Sequence, residues 1–177
     1  MKTTRYRIDR IHILNHHHCI IAKCASTTIK RLGVRVTPPF EPLQTVATIR
    51  HPLDRWISGY VMWLLDLARW TDGYAHWQAP HHVMYDPHTA PQSQFVEPDT
   101  HLIRFDDIDE YVERCRHPPI HEHPTNRGYV PFKDKTLEYI QDNKPFAKKL
   151  RRWLHDDFLL YNQCQSVQSL PENLFTK

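Results

Sequence analysis

The sequence predicts an α/β fold of P-loop-like, three-layer form: a central parallel sheet flanked by helices, with residues 1–177 as one domain. Three observations lead there. Short β-branched apolar runs alternate early with segments of helical periodicity, the order of parallel βαβ units. Two of those runs end in a cation, Lys23 and Arg50, just ahead of a helix start. A chain of 177 residues with 40 % apolar and 24 % charged residues is long and apolar enough to bury one core.

The elements follow in order. Residues 6–14, "YRIDRIHIL", alternate apolar and polar at period two and read as a strand; 17–22, "HHCIIA", read as a second, more buried one. A helix runs from Thr27 or Thr28 to about Leu32, with Gly33 as its stop. "TPPFEP" (37–42) is a loop and "TVATI" (45–49) a central strand. Pro52 occupies a natural first helical position. The long helix after it has Ile57, Val61, Leu64 and Ala68 at core spacing. Residues 71–100, rich in His, Pro, Gln and Asp, form an irregular excursion of the kind that builds binding sites. "THLIRF" (100–105) is a further strand, followed by a short helix near "DDIDEYVERC" and a loop over 116–132. Helices near 133–142 and 145–160 complete the chain, the last with Phe146, Leu150, Trp153 or Leu154, and Phe158 on one face.

Composition narrows the ligand. A net charge of +3 and a pI near 8.7 suit an anion but are too mild to imply nucleic acid. The basic run "KKLRR" (148–152) reads as a solvated helix face that is able to attract an anionic polysaccharide. Cys19, Cys24, Cys115 and Cys164 form no close-spaced metal or redox pair, and the polar N-terminus shows no signal peptide. Reduced thiols and a cytoplasmic location are expected. The run "GYVMWLLDLARW" is too short and too charged to span a bilayer.

Ligands of parallel sheets bind beyond the carboxyl ends of the strands, where Lys23 and Arg50 both fall. In "CIIAKCASTTIKRL" Lys23 supplies a charge, and Ser26, Thr27 and Thr28 supply hydroxyl donors for an oxyanion. The segment equally fits an ordinary βα turn with a Ser or Thr cap. It lacks the glycines of a standard ATP or GTP loop. In "IRHPLDRWISGY" Arg50 is placed to fork onto a phosphate with Ser58 donating a further bond. The bland alternative is a solvated Arg55 and a packed Ser58. Two cationic strand ends suit a ligand with two separated phosphate groups.

These segments resemble the two nucleotide motifs of sulfotransferases that use 3′-phosphoadenosine-5′-phosphosulfate (PAPS). "AKCASTTI" is similar to the 5′-phosphosulfate loop P-K-x-G-[ST]-[ST]-x-[IL]. "IRHPLDRWISGY" matches the 3′-phosphate pattern R-x-P-x-x-R-x-x-S-x-Y at Arg50, Pro52, Arg55, Ser58 and Tyr60. "DPHTAPQSQFV", "THLIRFDDIDEY" and "LRRWLHDDFLLYN" resemble later segments of the membrane-type carbohydrate branch. Ala22 stands where the loop has Pro, Ala25 where it has Gly, and His51 where the family often has Asp. If the Gly position needs a positive φ, alanine there costs on the order of 1 kcal/mol.

The resemblance implies a sulfuryl transferase that needs no metal. Lys23 would contact the bridging oxygen, residues 24–28 (Cys24, Ala25, Ser26, Thr27, Thr28) would hold the 5′-phosphate, and Arg50 and Ser58 the 3′-phosphate. Arg127 in "NRGY" would close over the latter. The acceptor hydroxyl, on a carbohydrate by the same resemblance, needs a general base. His88 and Glu41 are the candidates, His88 preferred, with Gln92 and Trp63 as acceptor contacts. Three rivals stand beside this reading: a non-catalytic nucleotide- or glycan-binding module on a degenerate fold, a P-loop kinase, and a metal protein using "HHHC" or "CRHPPIHEH". The last is disfavoured because neighbours on a strand point to opposite faces and neither cluster has zinc-module spacing.

Overall fold

The computed structural model describes residues 9–38, 43–70, 76–117 and 129–176. Its strands are β1 (Asp9–Ile13), β2 (His16–Ile20), β3 (Val34–Val36), β4 (Thr45–Ile49) and β5 (His101–Arg104), and its helices are α1 (Ser26–Leu32), α2 (Pro52–Trp70), α3 (Ile108–Arg114), α4 (Tyr129–Asp142), α5 (Lys144–Trp153) and α6 (His155–Gln163). They form an α/β structure around a five-stranded sheet of order β3-β1-β2-β4-β5.

The sheet is mixed, which corrects the expectation of a purely parallel one. β2, β4 and β5 run parallel, whereas β1 is antiparallel to both β2 and β3. The link between β1 and β2 is only Leu14 and Asn15, and a parallel connection needs a crossover of a dozen residues or more. A hairpin is the sole outcome. β3, exposed and three residues long, carries too little pattern to be read in advance. It is made possible by Gly33, where a Cβ would lie 1.9 Å from the His12 carbonyl oxygen. Gly33 is extended (φ −162°), so it ends α1 by permitting close approach rather than by a left-handed cap.

Alternation along the strands sorts the core. Ile11, Ile13, Val46 and Ile103 face α1, α3 and the C-terminal Val167, Leu170, Leu174 and Phe175. Cys19, Ala47, Ile49 and Leu102 face Ala90, Phe95 and Leu160. Trp56, Ile57, Val61 and Leu64 of α2 pack with Ile140, Phe146, Leu150 and Leu154 of the later helices. The anticipated last helix is two, α5 and α6, and Leu154 rather than Trp153 is its buried residue. The anticipated loop over 116–132 gives way to α4 from Tyr129. Among the described residues no helix is long and apolar enough to cross a membrane.

The "HHH" run lies on β2, wholly buried. His16 and His18 share a face and converge on the Tyr111 hydroxyl, at 2.5 and 3.1 Å. The other ring nitrogens meet the Leu174 carbonyl oxygen at 2.8 Å and the Thr48 hydroxyl at 3.0 Å. Each nitrogen of the His16 and His18 rings is thus engaged in a hydrogen-bond network joining β2, β4, α3 and the C-terminus. Burial pushes the His16 pKa down to about 4 and that of His18 well below its ordinary value.

This network makes the fold acid-sensitive. Both histidines are held neutral, so the unfolded chain binds more protons than the native one below pH 6.5, and stability falls as the pH drops from there toward about 4. His16 alone should account for a loss on the order of 3 kcal/mol. Urea midpoints measured between pH 7.5 and 4.5 should fall accordingly; a flat profile would show that these histidines are not buried neutral.

Candidate functional site

β2 and β4 are adjacent and parallel, so the chain leaves both at the same edge of the sheet. Lys23 lies three residues past the end of β2 and Arg50 one past the end of β4. The geometry expected of a crevice at parallel strand ends is present.

The turn from β2 into α1 is tight. Cys24 N–H donates to the Ile21 carbonyl at 3.1 Å, and Ile29 N–H to that of Ala25 at 2.9 Å, the first helical bond. Lys23 and Ala25 both adopt left-handed backbone, φ 65° and 54°. The position where the family pattern has Gly therefore does need a positive φ, and alanine fills it at the cost of strain. Beyond it Ser26 is half-buried, Thr27 exposed and Thr28 buried. The Cys24 thiol is sealed inside, donating to Gln92 Oε1 at 2.9 Å.

Arg55, one turn into α2, is fully buried rather than solvated. Its Nε donates to the Ala22 carbonyl at 3.0 Å, and its two terminal nitrogens to those of Ala90 and Pro87. One guanidinium thus fastens the Lys23 turn to residues 87–90. Gly59 completes the fit: a Cβ there would stand 2.2 Å from the His88 carbonyl oxygen. Ser58 is buried beside it, and Tyr60 stacks on Trp56 with centroids 5.4 Å apart.

Residues 85–89 form a turn locked from within. The Thr89 hydroxyl accepts from Tyr85 N–H at 2.9 Å and donates to the Asp86 carbonyl at 3.0 Å. Asp86 accepts the His88 N–H at 2.8 Å through Oδ1 and approaches His88 Nδ1 to 3.0 Å through Oδ2. A carboxylate only accepts, so Nδ1 carries a proton, and among the described residues Nε2 has no hydrogen-bond partner.

Charge unites these pieces. Burial lowers the Lys23 pKa, the negative charges of Asp66 and Asp86 oppose that, and Arg50 and Lys133 reinforce it. Lys133 on α4 is likewise lowered, by burial first and then by Arg50. Lys23, Arg50 and Lys133 therefore share one electrostatic neighbourhood with the carboxylates of Asp66 and Asp86. The Arg50 guanidinium lies 4.9 Å over the Phe105 ring and lines a cleft of about 310 Å³ with His51, Asp54, Asp106 and Tyr161.

Several expected residues take other roles or positions. Gln92 is no acceptor contact: fully buried, its side-chain amide accepts from Arg50 N–H and donates to the Arg50 carbonyl, both at 2.9 Å, holding that residue as a neighbouring strand would. Asp157 in turn fixes it, accepting the N–H groups of Gln92 and Ser93 at 2.8 and 2.9 Å. Trp63 is half-buried and lies 4.5 Å from the Tyr85 ring, beside the His88 turn. Glu41 and Arg127 lie outside the described residues. Lys133 and Asp86 carry little local signal; an acid two residues before the histidine in "DPH" is the one hint. Comparisons of the chain with protein-family models, with curated proteins and with solved structures return no match.

Two substitutions test this construction. Ala25→Gly should relieve the left-handed alanine and raise stability by roughly 0.5–1 kcal/mol in urea unfolding, after allowance for glycine's freer unfolded chain. Gly59→Ala should push the His88 turn off α2 and destabilise by about 1–3 kcal/mol. The His88 ring resonances should shift with it in NMR spectra.

Proposed function

We propose that the protein transfers a sulfuryl group from PAPS to an acceptor hydroxyl, on a P-loop-like core. The observation that carries the reading is the placement of Lys23 and Arg50 at neighbouring parallel strand ends, with an oriented His–Asp pair in the same electrostatic field. Two phosphate-sized anions would span the two cations. The motif resemblance identifies the bisphosphate nucleotide that has them.

In this reading the acceptor oxygen attacks sulfur as its proton passes to His88 Nε2. The new oxygen–sulfur bond forms while the bond from sulfur to the bridging oxygen breaks. The electron pair leaves on the 5′-phosphate of adenosine 3′,5′-bisphosphate, whose charge Lys23 offsets, with Lys133 beside it. Asp86 holds the base in the required tautomer and stabilises the imidazolium that forms. The residues 24–28 would hold the 5′-phosphate and Arg50 the 3′-phosphate; Ser58, being buried, would reach it only from beneath the helix surface. The adjoining Trp63 and Tyr85 rings offer an apolar face with polar edges suited to a sugar, which keeps a carbohydrate as the favoured acceptor.

The test begins with binding. Adenosine 3′,5′-bisphosphate at about a hundredfold over its Kd should raise Tm by roughly 5–10 °C, and adenosine 5′-monophosphate at the same concentration by much less. Equal shifts would remove the nucleotide assignment. Radiolabelled sulfate transfer to a panel of polysaccharides should then fall about 10²–10⁴-fold in His88→Ala. Bisphosphate binding without transfer to any acceptor would identify a non-catalytic module instead.

A further inference from the structure

A second concavity, which shares His51 with the cleft at Arg50, lies between α2 and the later helices. It occupies about 1270 Å³, above the range of roughly 300–1,000 Å³ usual for small-molecule pockets. Its floor is apolar: Leu53 of α2, Leu137 and Ile140 of α4, and Leu150, Leu154 and Phe158 beyond them. Leu137 remains 39 % exposed there.

The lip is cationic and regular. Lys144, Lys148 and Arg151 of α5 line it at spacings of four and three residues, one helical turn each, with His155 of α6 beyond them. α5 ends at Trp153 and α6 begins at His155, so the cation row on α5 extends about 10 Å. Among the described residues no carboxylate lines the groove. Among the described residues Lys144, Lys148, Arg151 and Arg152 make no ion pair, whereas Arg10, Arg35, Arg69 and Arg114 each meet a carboxylate.

We propose that this groove docks an acidic amphipathic helix of a partner protein. A single-headed amphiphile would engage one cation of the row and leave the rest unmatched. A linear polyanion would satisfy the cations but cover an aliphatic floor with polar groups, at a desolvation cost. A helix of about three turns has apolar anchors at i, i+3, i+4 and i+7 for the floor and flanking carboxylates at one-turn spacing for the lip. The inference stands on the groove alone and does not rest on the sulfotransferase reading.

The probe is a fluorescein-labelled 16-residue designed helix with leucines at that spacing and glutamates on its flanks, titrated with the full chain by anisotropy. It should bind at least tenfold more tightly than a peptide of equal composition with scrambled spacing. Leu137→Glu should weaken it at least tenfold. Lys148→Glu with Arg151→Glu should weaken it similarly and gain affinity for a lysine-flanked version. All three sites are exposed or partly exposed, so circular dichroism and Tm should stay unchanged. Equal binding of the scrambled peptide would overturn the proposal. So would loss of the peptide to an equimolar heparin hexasaccharide, which would mark a polyanion site, or to dodecyl sulfate below its micelle concentration, which would mark an amphiphile site.

Discussion

The buried guanidinium of Arg55 is the constraint on which the candidate site depends. A charge with no exposure is tolerated only when its donors are met, and here three main-chain carbonyls meet them: Ala22 on one side, Pro87 and Ala90 on the other. Those carbonyls belong to the two segments that carry Lys23 and His88, which are far apart in sequence. Phe95 lies beneath the guanidinium, its ring centroid 6.0 Å away, and Asp157 contributes a compensating negative charge nearby. The same residue thus satisfies its own burial and sets the relation between the turns that carry Lys23 and His88.

A second layer of polar fastening supports the first. Asp157 caps the segment after Ala90, Gln92 grips the main chain of Arg50, and the Cys24 thiol closes on the same amide. Strand ends, helix start and excursion are joined through buried side chains, so the left-handed strain at Lys23 and Ala25 is held in place by its surroundings. Arg50 and Lys133 repel Lys23, and the carboxylates of Asp66 and Asp86 offset that repulsion.

Much of the frame was legible in advance because it is local. Period-two alternation marked β1, a β-branched run marked β4 to the residue, and Pro52 marked the start of α2. The requirement for a positive φ at Ala25 was legible as well, through the glycine of the pattern it departs from. Less legible were the short edge strand β3, which depends on a 1.9 Å approach that Gly33 alone allows, and the division of the last helix at Leu154. The expected acceptor role of Gln92 failed, and the solvated alternative for Arg55 with it, for one reason: a polar residue in an irregular segment or on a helix gives no local sign of whether its partners are water or main chain.

By itself the sequence determined the alternation of strands and helices, the two cations at strand ends, and the histidine in the central excursion. These follow from periodicity, turn chemistry and residue type, which act over a few neighbours. Only the tertiary structure decided that the sheet is mixed, that Asp86 orients His88, that Lys23, Arg50 and Lys133 feel one another's charge, and that Arg55 works from inside. Each of these depends on which distant groups share a buried volume, where desolvation makes every unpaired donor costly and so selects one arrangement.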